Sequence, residues 1–188
     1  MMTVYQLWLP IVATGVATHV YCTLAWMILP HHKPEWTKIP VEDDLQDLIS
    51  SRGVIPGQYM VPYAAGGQEA ASAEYQLKVK KCRGMLVLWE GPMSMGKAIG
   101  STLAFFFVAA FCIAYLASLA LAPGDDFMKV FQFVATAGLL THCAAHFPHV
   151  FWFRRKIAME LLDGVVLAIL TGLIFAALWP AVSVGLAR

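Results

Sequence analysis

Four stretches of this chain are apolar almost throughout, and a single long polar section separates the first from the second. The first stretch, Tyr5 to Pro30, runs 26 residues without a Lys, Arg, Asp or Glu. That is long enough to cross the hydrocarbon of a bilayer with some tilt. Further apolar stretches cover residues 98–122, 127–153 and 161–182. The pattern predicts four transmembrane helices. The first stretch lacks a basic leading region and is too long for a signal-peptide core. Its basic flank, Lys33 and Lys38, lies at the far end, so it reads as a span and not as a cleavable leader. Pro123-Gly124-Asp125-Asp126 predicts a tight turn in which an Asp caps the third span. Arg154-Arg155-Lys156 closes that span.

Residues 31–97 are too many for a plain connection and are expected to hold structure of their own. Pro40 to Ile49 reads as a short amphipathic helix. Glu42, Asp43 and Asp44 sit in its first turn, where the helix dipole favours acids, and Leu45, Leu48 and Ile49 form its apolar face. Gln58–Tyr63 and Met85–Trp89 are strand-like and suited to a hairpin, with a helix over 69–83 between them. The fold class predicted is an all-α membrane protein. Its four transmembrane helices carry a small cytoplasmic α+β insertion between the first and second spans, and residues 1–188 form one polytopic domain.

Composition fits this pattern. The chain is 59% hydrophobic and 13% charged, with mean hydropathy +0.65, against about 25% charged residues in soluble domains. A net charge of +1 excludes the basic footprint of a nucleic-acid binder. Cys22, Cys82, Cys112 and Cys143 form no CxxC pair, so neither a disulfide framework nor a cysteine-based zinc site follows. Section 31–97 holds eight Lys and Arg and the third-to-fourth connection three, against Lys129 and Arg188 on the other side. The positive-inside rule then places 31–97 and 154–160 in the cytoplasm and both termini outside. Trp26, Trp36, Trp89, Trp152 and Trp179 fall near span ends, as an aromatic belt requires.

The candidate chemistry is carried by histidine. His142, His146 and His149 are spaced i, i+4, i+7 in the third span, which on a regular α-helix puts three imidazoles on one face. His19 lies 12 residues before His31, and His142 lies 12 residues before Arg154, so both are expected about 18 Å from the cytoplasmic ends of their spans. Pro148 removes a backbone donor and disturbs the carbonyl of Ala144, opening the helix beside His146. Three functional readings fit. His19 and His142, with His146 nearby, form a layer for b-type haem or a (bacterio)chlorophyll. Alternatively, His142, His146 and His149 form a proton path. The third is a non-haem metal site, since His142-xxx-His146 and His31-His32 are fragments of the histidine boxes of membrane desaturases. Six histidines are too few for those boxes, and no metal ligand set is assigned. Beside these stands hydrogen bonding across helices, for which Tyr21, Thr23, Thr136 and Thr141 are available.

Gly164, Ala168, Gly172 and Ala176 follow at i+4 steps in the fourth span. Together they make a groove that a helix of this chain or of a partner can approach closely. Glu160 and Asp163 at the start of that span offset its dipole, with a carboxylate partner for His149 as the sharper role. The spans hold no other acid, which disfavours an ion-coupled transporter. No GxSxG, HExxH, Walker-type or GxGxxG motif occurs, so no catalytic residue is assigned.

The stretches Leu24–Pro34, Pro56–Met60, Pro92–Gly96 and Ala114–Ser118 resemble those of a family of bacterial four-span inner-membrane proteins of no known activity. The resemblance implies four spans and a bacterial inner membrane. It transfers no functional residue. The function expected is that of a non-catalytic accessory or scaffold subunit of a larger respiratory or photosynthetic membrane complex, with the lipid bilayer and other membrane subunits as partners. It rests on the missing catalytic motifs, the small-residue groove and the amphipathic loop helix. The second expectation is a cofactor protein built on the His19/His142 layer. The third is a membrane anchor for a cytoplasmic enzyme.

Overall fold

The computed structural model describes residues 2–182. Arg188 and the chain ends used in the orientation argument lie outside the described residues. The protein is 67% helical. Four helices are long and apolar enough to cross a membrane: Val4–Met27, Met95–Ala120, Phe127–Phe153 and Ala158–Ala177. These match the four predicted stretches, with shifts of a few residues at the ends.

The chain divides into two compact units, residues 37–93 and the remainder. Unit 37–93 contains the expected elements. Glu42–Ser51 is the amphipathic helix, and Gly53 follows its end with φ +60°. Strand β1, Gly57–Val61, pairs antiparallel with β2, Gly84–Leu88, in the register Gly57 opposite Leu88. Between the strands lie the turn Gly67–Ala70 and the helix Ala73–Lys81. Ser72 caps that helix by accepting from the Tyr75 amide at 3.1 Å. The strands are therefore joined by helical turns and not by a tight hairpin loop.

The other unit is the four-helix bundle. The first helix packs on the second and the fourth, and the third packs on the fourth and the second. The helices thus go round in chain order, and the first and third are diagonal. Asp126 caps the third helix, its carboxylate accepting from the Lys129 amide at 3.0 Å. The Lys129 ammonium and the Ala122 amide both bond Asp125, holding its carboxyl below the usual range. The Trp179 indole donates to the Ala122 carbonyl at 3.0 Å, and the Gly124 amide donates to the Pro180 carbonyl at 2.9 Å. The end of the fourth helix is thereby tied to this turn.

The two ends of the bundle differ. At the turn end a close-packed apolar plug gathers Leu7, Ile113, Val130, Val134 and Phe175, all at most 2% exposed. At the other end the helices separate around polar groups. Several hydroxyls along the helices are satisfied locally, although that of Thr14 is buried without a partner among the described residues. Thr18, Thr136, Thr141 and Thr171 each bond the carbonyl four residues back, which removes the cost of placing them in an apolar setting.

The small-residue groove on the fourth helix is filled by the third helix of the same chain. A Cβ on Gly138 would come 2.9 Å from Cα of Ala168, and one on Gly172 2.9 Å from Cβ of Ala135. A Cβ on Gly164 would meet Sγ of Cys143 at 2.6 Å and the His142 carbonyl oxygen at 2.9 Å. Gly164→Ala is expected to cost about 2–3 kcal/mol, the upper part of the overpacking range, because a backbone carbonyl cannot swing aside as a side chain can. A thermal melt in detergent beside the wild type measures it, and an unchanged midpoint would contradict the close approach.

Candidate functional site

The third helix is not a regular α-helix. Phe127–Leu139 is α-helical, Leu140–Ala144 forms a π turn, and His146–Phe153 resumes the α-helix. The expected opening near Ala144 is present, upstream of Pro148, whose ring crowds the carbonyl four residues back. A π turn carries one residue more than the α-helix allows, and each residue turns the helix by about 100°. His142, His146 and His149 consequently do not share one face. His142 and His146 line a cavity, whereas His149 is exposed and stacks near Phe153, ring centroids 4.5 Å apart.

That cavity, about 330 Å³, is lined by residues of all four helices. Trp26, Phe105, Phe106 and Leu167 supply its apolar wall, and Tyr21, His142, His146, Glu160 and Asp163 its polar groups. Glu160 accepts from the Arg155 guanidinium at 2.7 Å. Nδ1 of His146 lies 3.2 Å from the other Glu160 oxygen but is not aligned to bond it. Phe106 stands against both His19 and His142, with centroid distances of 6.3 and 6.1 Å. The two histidines are therefore at one level on diagonal helices, with a phenyl ring against each. The hydroxyls available to them bond elsewhere: Thr23, Thr136 and Thr141 to their own helices, and Tyr21 to Asp163. Nδ1 of His19 is buried without a hydrogen-bond partner among the described residues.

The most connected polar group is Asp163, on the first turns of the fourth helix. Its Oδ1 accepts from the Tyr21 hydroxyl at 2.9 Å and lies 3.0 Å from Nε2 of His31. Its Oδ2 lies 2.8 Å from Nε2 of His32. Nδ1 of His32 is 2.7 Å from a Glu35 oxygen, and the His32 ring stacks on Trp26 at 3.8 Å. The other Glu35 oxygen accepts from the Met159 amide at 3.3 Å, and the Lys156 ammonium donates to the Pro34 carbonyl at 2.9 Å. Residues 31–36 are thus docked on the start of the fourth helix. They belong with the bundle and not with the inserted section, contrary to a boundary at residue 31. Burial opposes protonation of His32, but its bonds to Glu35 and Asp163 and their negative charges outweigh burial and raise its pKa.

No protein-family model, curated protein or solved structure matches the chain. The resemblance to bacterial inner-membrane proteins consequently adds nothing to these residues, and function has to be argued from the site.

Sequence reasoning singled out two residues of the cavity wall, His142 and His146, and His19, expected at the depth of His142, stands with it against Phe106. It missed the cluster of Tyr21, His31, His32, Glu35 and Asp163. Asp163 was expected to serve the helix dipole or His149, and its partners are instead His31, His32 and Tyr21. The one available signal was the adjacent pair His31-His32 following an uncharged span.

Proposed function

We propose that the chain is a multi-pass membrane protein that holds a cofactor or small ligand in the cavity at the polar end of its bundle, with His142 as the group that contacts it. The observation that carries this reading is the cavity itself. A bundle whose third and fourth helices pack closely enough to need glycine at three positions leaves about 330 Å³ open where all four helices meet, within the range of small-ligand sites. Its wall combines aromatic rings with a few converging polar groups, the usual make-up of such sites. The π turn that positions His142 supports the reading, because π bulges are frequent at functional sites. The unpartnered Nδ1 of His19 marks a second imidazole with spare bonding capacity nearby. Haem and (bacterio)chlorophyll remain the cofactor classes in view, since an imidazole can ligate either metal. The Lys and Arg distribution orients the polar end towards the cytoplasm of a bacterial inner membrane.

The test is an absorption spectrum of the protein purified in mild detergent, oxidised and then reduced with dithionite, beside organic extraction of the same sample. A visible band or a stoichiometric extracted compound is expected in the wild type, reduced at least tenfold in His142→Ala at equal protein recovery. A sample without either would sink the reading.

The accessory subunit is the second reading, as part of a respiratory or photosynthetic assembly. The small-residue groove no longer supports it, being filled from within the chain. What favours it is the third helix, the least buried of the four, which leaves a broad apolar face for another membrane subunit. A native-membrane pull-down that recovers the chain alone, as a monomer, would exclude this reading.

A further inference from the structure

The geometry points to a divalent transition-metal site made by Nε2 of His31, Nε2 of His32 and the carboxylate of Asp163. One donor atom from each of these three residues lies within 4.8 Å of the other two. The ring centroids of the two histidines are 4.3 Å apart. Two imidazoles and one carboxylate are the donor set of zinc and of non-haem ferrous sites. Metal–ligand bonds of about 2.0–2.2 Å require the ion to displace the hydrogen bonds that now join Asp163 to the two rings at 2.8–3.0 Å and the three side chains to move apart by about half an ångström.

Three further features suit a cation. Glu35 lies 2.7 Å from Nδ1 of His32. A carboxylate on the far nitrogen fixes the tautomer that leaves Nε2 free to ligate, as in most histidine metal sites. Burial is the second feature. The side chains of His32, Asp163 and Glu35 are 6%, 9% and 11% exposed. With both imidazoles neutral, as ligands must be, this pocket holds two negative charges, which one divalent ion neutralises. Thirdly, the two rings converge on one carboxylate, so that a single ion between them meets all three donors. Three protein donors leave an open coordination position, the mark of an exchangeable and not a purely structural site. Asp163 also belongs to the cavity wall, so the ion would border the cavity. This inference stands independently of what the cavity holds.

The experiment uses the full chain in detergent, stripped with a chelator and titrated with Co²⁺, then with Zn²⁺. Expected is one Co²⁺ per chain with ligand-field bands in the visible, displaced by one equivalent of Zn²⁺. His31→Ala should abolish the bands. Glu35→Gln, which leaves all three ligands in place, should weaken binding roughly 10–100-fold. His142→Ala should bind the ion at unchanged stoichiometry, separating this site from the cavity's ligand. Circular dichroism checks that each variant keeps its helices, and the wild-type titration decides by itself if a variant does not fold. Absence of Co²⁺ bands in the stripped wild type, or equal binding by His31→Ala and the wild type, would overturn the site.

Discussion

Asp163→Ala should be the most damaging single substitution in the bundle, lowering stability by about 3–5 kcal/mol. The carboxylate is the common partner of Tyr21, His31 and His32, and through them it joins the first helix and the turn after it to the fourth helix. Removing it leaves a half-buried hydroxyl and two imidazoles without that acceptor. The cost is that of abandoned polar groups, larger than the worth of any one bond. Asp163→Asn keeps the shape and one acceptor, and should lose roughly half as much. The measurement is the melting midpoint in detergent, with accumulation in the membrane as a second readout. An alanine variant as stable as the wild type would mean that water serves these groups equally well and that residues 31–36 are not held by the fourth helix.

Phe175→Ala attacks the opposite end. Phe175 is fully buried in the plug with Leu7, Ile113, Val130 and Val134. In soluble proteins such a truncation costs about 3–5 kcal/mol, made of a transfer part and a cavity part. In a bilayer the transfer part shrinks, because lipid is as apolar as the bundle interior. The cavity part persists, since it reflects lost contacts and not lost shelter from water. About 3 kcal/mol is therefore expected, with metal and ligand binding at the other end unchanged per folded molecule. Melting and Co²⁺ titration on one preparation test both halves. Loss of binding in a sample that still melts cooperatively would show that the two ends are coupled.

The four long helices were legible because length and apolarity are local properties, averaged over about twenty residues. The Asp126 cap and the acids of Glu42–Ser51 were legible for the same reason: their partners lie within one turn. The small-residue stripe announced close packing, but a stripe does not name the helix that fills it. The filler is the third helix, with Gly138 opposite Ala168. The histidine face failed at His149 because an α-helical period was assumed through a π turn, whose extra residue rotates everything beyond it. Asp163 was illegible for a different reason. Its partners are 131, 132 and 142 positions away, and nothing in the local pattern of either segment reports such a pairing. An acid near a helix start always has the dipole as a sufficient explanation, which concealed the stronger one.

The apolar plug has a consequence for traffic. The cavity's lining shares no residue with the plug, which closes the bundle beyond it. Anything that enters from the polar end meets Ile113, Val130, Val134 and Phe175 before it could reach the turn at Pro123. Passage through the bundle would require those side chains to part together. A bundle so stoppered is built to hold a small molecule at one end and not to pass it to the other.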